Sequence, residues 1–220
     1  MHLFSRRQLA ILVLSVLSAS AQAQTSTSAE VKPLPASTRG FDWVANFGFT
    51  FGGETIGTAN YTDGKSESIR AGELLQFGGG VYWQASQLPI ALQATVNYHV
   101  SDTSAAKNGS LRFDRVPAEV MAYYTGVDNW RFGSGARFVS SPSYVSNIKN
   151  TPKEVIDFDS TVGAVFEVGY AVSPRFWVNV RYVAEKYRPT MYTLGGRAYN
   201  LKNFKDVDGN HIGISSSFHF

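Results

Sequence analysis

His99-Val100-Ser101-Asp102 places an imidazole, a hydroxyl and a carboxylate within four residues. Nucleophilic hydrolysis uses that trio: a base beside the hydroxyl and a carboxylate to orient the base. Further charged residues recur at alternate positions: Glu73, Glu119, Arg131, Arg137, Asp157, Asp159, Glu167, Arg181, Glu185 and His211. On a strand, alternate residues share one face. These groups together with His99 therefore form one charged face, which must pair internally if it is enclosed. His211 and His219 lie eight residues apart, about 26 Å on a strand rising about 3.3 Å per residue, so they cannot share an ion. No metal site and no cofactor is expected.

The elements that carry these residues have a period of two from Phe41 onward. Trp43, Ala45, Phe47, Phe49 and Phe51 alternate with Asp42, Asn46, Gly48, Thr50 and Gly52. Seven further runs follow: Leu75–Gln84, Ile90–His99, Glu119–Tyr124, Trp130–Phe138, Ile156–Tyr170, Phe176–Glu185 and His211–Phe220. In the sixth run, Ile156 and Phe158 fall on the apolar face and Asp157 and Asp159 on the polar one. Pro117 lacks a ladder donor and predicts a bulge or late start in the fourth run. The connections 85–89, 126–129 and 171–174 are short, whereas 53–67, 102–109, 141–154 and 188–210 are long and without pattern.

Two barrels fit eight alternating runs. A soluble, lipocalin-type carrier would bury the apolar face; a transmembrane barrel would turn it to lipid. Glycines crowd the polar face, which suits a concave lumen that must also house arginines. The apolar face carries too many Phe and Trp for the narrow interior of eight strands. Trp83, Tyr124, Trp130, Tyr170, Phe176 and Phe220 all lie beside a short turn or the C-terminus, forming an interfacial girdle. The predicted fold is therefore an all-β, eight-stranded antiparallel transmembrane up-and-down barrel over 41–220.

Residues 1–23 read as a cleaved secretory signal peptide: Arg6 and Arg7, the apolar run Leu9–Leu17, then Ala21-Gln22-Ala23. Residues 24–40 read as a flexible periplasmic lead-in. Of 220 residues, 20 are Lys or Arg and 17 Asp or Glu, and removal of the signal leaves 18 cations against 17 anions. That balance gives no global attraction to nucleic acid. The absence of Cys excludes disulfides and thiolate zinc sites.

The signal, the eight runs and the ending Ile212-Gly213-Ile214-Ser215-Ser216-Ser217-Phe218-His219-Phe220 together resemble the small eight-stranded outer-membrane proteins, the OmpA-transmembrane/OmpX/OmpW group. The resemblance implies a bacterial outer-membrane location, periplasmic termini and extracellular long loops. It also implies insertion through the barrel-insertion machinery, with Phe218 and Phe220 as the signal. His two residues before Ser resembles the lipid A deacylase motif, but the downstream Asn-Ala-Gly is absent, and the alternation sends His99 and Ser101 into the lumen, away from lipid.

Within the lumen, Arg131, Glu167 and Arg181 are expected to form a salt-bridge plug on neighbouring strands. Lys149, Lys153, Arg188, Arg197, Lys202 and Lys205 face only Glu154, Asp206 and Asp208 in the last two long loops. With Tyr192, Tyr199 and Phe204 interleaved, these loops suit lipopolysaccharide phosphates or an acidic host or surface ligand. The expected function is a monomeric, non-enzymatic outer-membrane barrel with a filled lumen, acting in envelope integrity or surface interaction. The alternatives are a narrow OmpW-like channel for small or apolar solutes and, third, a lipid A-modifying hydrolase.

Overall fold

Alternation over a long antiparallel meander leaves two unpaired sheet edges, and closure into a barrel removes both. In a computed structural model, which describes residues 40–60, 66–103 and 109–220, the chain does this. Its strands are β1 (Gly40–Gly52), β2 (Thr55–Asn60), β3 (Ser66–Arg70), β4 (Leu74–Gln84), β5 (Ile90–Asp102), β6 (Gly109–Val127), β7 (Trp130–Ile148), β8 (Glu154–Phe158), β9 (Thr161–Ser173), β10 (Phe176–Ala184), β11 (Lys186–Tyr187), β12 (Pro189–Leu194), β13 (Arg197–Asn200), β14 (Val207–Asp208) and β15 (His211–His219). Eight of them close a barrel in the order β1-β4-β5-β6-β7-β9-β10-β15, with β15 returning to β1 and every pair antiparallel. The expected signal peptide, 1–23, and the expected lead-in, 24–40, lie outside the described residues except for Gly40, which opens β1.

Closure satisfies the backbone ladder, so the apolar face can stand in hydrocarbon. Phe47, Phe51, Phe77, Leu92, Val96, Val120, Phe132, Phe138, Phe166, Val180 and Ile214 are exposed around the outside. An apolar belt this continuous is far larger than a soluble monomer presents, and it makes the barrel a transmembrane one. Phe41, Trp43, Tyr124, Trp130, Tyr170 and Phe220 ring the end that carries the short turns. There Phe220 exchanges two backbone hydrogen bonds of 3.0 Å with Trp43 and seals the seam.

At the opposite end much of the described part of the expected patternless loops is β-structure. β2 and β3 form a hairpin. β7 continues to Ile148, and its upper half carries β8, β12 and β13 as a four-stranded extension of the sheet. Ile56 and Ile69 of the hairpin pack with Leu111, Phe113, Val139, Tyr144, Phe158 and Tyr187 in an apolar cluster at this end. Gly57 permits that contact, because a Cβ there would stand 2.0 Å from the Tyr144 hydroxyl.

Two details correct the expected strand plan. The sixth run is two strands: Asp159 and Ser160 break the ladder and reverse the parity. Phe158 is consequently buried, while Asp157 and Asp159 are exposed rather than lumenal. The fourth run starts early, at Gly109. Its β5 ladder passes from Val96↔Ala118 to His99↔Arg115, skipping the segment at Pro117. The bulge falls next to it, between Asp114 and Val116 against β7, where Ser141 adopts φ 39°.

Candidate functional site

The inward faces of β6, β7, β9 and β10, with the residue that follows β10, assemble seven buried charges into one stack of alternating sign. It begins near the short-turn end with Arg131, whose Nη2 lies 3.3 Å from Glu167 Oε1. Glu167 Oε2 stands 4.0 Å from Arg181 Nε, and Arg181 Nη2 is 2.7 Å from Glu119 Oε2. The other Glu119 oxygen lies 2.7 Å from Arg137 Nη1. Arg137 Nε reaches Glu185 Oε2 at 3.0 Å, and Glu185 Oε1 lies 3.7 Å from Arg115 Nη1. None of the seven residues is more than 6% exposed.

Each terminal arginine is held by rings. The Arg131 guanidinium lies 4.6 Å from the Tyr123 ring centre and 4.7 Å from that of Trp177. It also donates to Asn179 Oδ1 at 2.8 Å and Ser217 Oγ at 3.1 Å. Arg115 lies 4.7 Å from the Phe113 ring centre and donates to the Tyr187 hydroxyl at 3.1 Å and to the Ala71 carbonyl. Cations desolvated against aromatic faces are stabilised by the ring quadrupole. Gly169 leaves the room this needs: a Cβ there would sit 2.5 Å from Asn179 Oδ1 and 2.8 Å from Arg131 Nε.

The remaining wall, from β1, β4 and β5, is lined by the amides and hydroxyls of Asn46, Thr50, Gln76, Gln93, Thr95 and Asn97, with Asp42 at the short-turn end 3.9 Å from His219 Nδ1. Between Asn46, Thr50, Gln76, Arg181 and Ser215 a void remains with room for about one water molecule. His99 bridges the two walls. Arginine only donates, so Arg137 Nη2, 3.0 Å from His99 Nδ1, leaves the ring proton on Nε2, which donates to Thr50 Oγ1 at 2.8 Å.

The expected trio of Arg131, Glu167 and Arg181 is thus one part of a longer stack. Glu119, Arg137 and Glu185 belong to it as well, while His99 and His211 line it, with rings 5.3 Å apart. Glu73 does not belong: it is half-buried in the turn before β4. Arg115 went unforeseen because Pro117 hid the start of its strand; the alternation Leu111, Phe113, Arg115, Pro117, Glu119 was the available signal. The His99-Ser101 pair has no nucleophile geometry, since both nitrogens of His99 are engaged by other residues and Ser101 is buried in the lumen.

Of the loop candidates, Lys149, Lys153, Arg197, Tyr199, Lys202, Phe204 and Lys205 are exposed at the far end and Tyr192 is half-buried. Arg188 is paired with Asp206 at 3.3 Å. Tyr192 hydrogen-bonds Glu154; its partial burial, then this carboxylate, raise its phenol above the usual value.

Fold and site define a transmembrane β-barrel of eight strands with an apolar exterior and an ion-paired, side-chain-filled lumen. Among solved structures, the chain is similar to Neisserial surface protein A (NspA), with TM-score 0.46 and 12% identity over 82% of this chain and 97% of that one. It is also similar to the outer membrane protein AlkL in lipid bilayers (0.43, 16%, 89% and 97%) and to an outer membrane channel from Pseudomonas putida F1 (0.29, 11%, 89% and 100%). The expected eight-stranded antiparallel barrel is the one the strand order and register of this chain show. No family model and no curated protein matches the chain.

Proposed function

We propose that this chain is an integral protein of the bacterial outer membrane whose lumen is a structural plug and whose work is done by the far-end sheet and loops. In this reading the termini are periplasmic and the long connections extracellular. The unbroken stack from Arg131 to Arg115 carries it: an eight-stranded interior is about filled by side chains, and here those side chains are locked by ion pairs at six successive contacts. The far-end cations then meet lipopolysaccharide phosphates or an acidic surface ligand. Phe220, already closed onto Trp43, is the residue offered to the insertion machinery. Catalysis has no support in the lumen, where His99 is bound to Thr50 and Arg137.

Conductance in planar bilayers tests the plug. The purified full-length protein is expected to be silent; steady ion flow through the wild type overturns it. Binding of labelled lipopolysaccharide and of acidic host glycans tests the surface role, and mass spectrometry of lipid A after co-expression tests the absence of hydrolysis.

A further inference from the structure

The four-stranded extension ends in an open edge. Among the described residues no strand pairs with the outer side of β13, and all four of its residues are exposed. Leu201 N–H bonds Thr190 C=O at 2.9 Å. By antiparallel alternation, Tyr199 and Arg197 then also turn their backbone groups to β12, and Ala198 and Asn200 turn theirs outward. An added strand would therefore hydrogen-bond Ala198 and Asn200. Arg197 and Tyr199 would fall at the non-hydrogen-bonded sites, where facing side chains come closest.

The side chains there are ordered in rows. Tyr144, Ile156, Tyr192 and Tyr199 stand directly opposite one another across β7, β8, β12 and β13. The row runs from a buried Tyr144 to a Tyr199 that is 49% exposed, with the two outer rings 6.1 Å apart. Two residues along on the same face, Ser146, Glu154, Leu194 and Arg197 form the next row. On this face Glu154 bonds Tyr192, and nearby Asp206 pairs with Arg188, while Asp157 of β8 is exposed on the opposite face of the sheet. Lys149, Lys153, Arg197, Lys202 and Lys205 make no ion pair within the described residues.

We propose that β13 is a docking edge for an extended polypeptide segment with an aromatic residue opposite Tyr199 and a carboxylate opposite Arg197. In the antiparallel sense this is a Tyr-x-Glu order. The ring would continue the tyrosine row, and the acid would meet Arg197, an exposed cation with no ion pair among the described residues. Main-chain bonds at an open sheet edge supply affinity, and alternate side chains supply selection. The inference rests on the reading of the far end as the working surface and names its partner class.

The test uses the full-length protein in lipid nanodiscs and a fluorescein-labelled peptide, Ser-Thr-Tyr-Thr-Glu-Thr-Ser. Saturable binding is expected, weakened at least about tenfold when the two threonines flanking the tyrosine are N-methylated. Ala198→Pro should have a similar effect, because it removes an outward N–H and no bond to β12. Arg197→Glu should turn the preference to the peptide with Lys in place of Glu. The order-reversed peptide, Glu-x-Tyr, controls for composition. Equal binding of the N-methylated or reversed peptide leaves charge alone and overturns the edge, as does no binding at about 1 mM. Self-association lost in Ala198→Pro overturns the choice of occupant. Heat-shifted gel mobility checks that each variant is a folded barrel. A silent lumen with no peptide binding sinks the docking edge alone; a conducting wild type sinks the plug alone.

Discussion

Replacing Glu119 by alanine should cut the lumenal stack at its centre. Glu119 is the carboxylate with two short contacts to cations, 2.7 Å to Arg137 and 2.7 Å to Arg181, and it is 3% exposed. At an effective dielectric of about 20, each attraction is worth about 4 kcal/mol. Removing the carboxylate also returns several kcal/mol of its own desolvation, so the expected net loss is about 3–5 kcal/mol. The variant leaves two fragments, Arg131-Glu167-Arg181 and Arg137-Glu185-Arg115, each with one surplus cation and with the two inner arginines facing each other. The loss should appear as a lowered urea midpoint in reversible unfolding from lipid vesicles, read by tryptophan fluorescence. Brief anion-preferring openings should appear in planar bilayers. Arg188→Ala, which breaks an ion pair at a 62% exposed side chain, should shift the same midpoint by no more than about 1 kcal/mol. A Glu119→Ala cost as small as the Arg188→Ala cost would refute the stack as a structural element.

Gly169→Ala should displace Arg131 from its ring clamp and cost about 1–3 kcal/mol by overpacking, measured by the same unfolding; an unchanged midpoint would mean the clamp gives way freely. Truncation of Phe220 should leave the Trp43 backbone groups unpaired at the seam, at about 1–3 kcal/mol per group, and slow the appearance of the heat-shifted barrel band. For Tyr192, the raised phenol means that the stability it confers is intact below the ordinary value of 10.0 and is lost as pH rises through the higher folded value. Absorbance at 295 nm should show this tyrosine titrating late, and Glu154→Gln should bring it back toward 10.0.

The barrel was legible because a strand enclosed on one face and lipid-bathed on the other must alternate, and the outward Phe47, Phe77, Phe132 and Phe166 obey that rule. The rule failed where its premise did. Past the membrane both faces of β8 meet protein or water, and a two-residue break at Asp159 and Ser160 is enough to turn Phe158 inward and the aspartates out. Pro117, lacking a donor, predicts a bulge or a late start; the bulge lies beside it and the ladder with β5 skips it, but the strand starts early, and Arg115 lies in the part this expectation leaves out. Pairing partners were legible only for Arg131, Glu167 and Arg181, whose common face and neighbouring strands bring them together; the other contacts of the stack were beyond reach. Alternation places Arg137 in the lumen, but only register and shear set it between Glu119 and Glu185.

The stack draws all seven of its charges from β6 to β10 and the residue after it, while β1, β4 and β5 line the lumen mainly with amides, hydroxyls and glycines and add the single carboxylate of Asp42. The barrel is thereby split lengthwise into a half that carries the stack and a half that is mostly uncharged. β1 and β15 can meet only once the whole chain is present, and they join through Gly48 opposite Ser215, Thr50 opposite Gly213 and Asn46 opposite Ser217. Three of the six pairs join adjacent strands, Glu119 with Arg137, Arg131 with Glu167 and Glu167 with Arg181, and the other three span the lumen, so the final zipping of the two chain ends is the step that shuts all seven ions away from water.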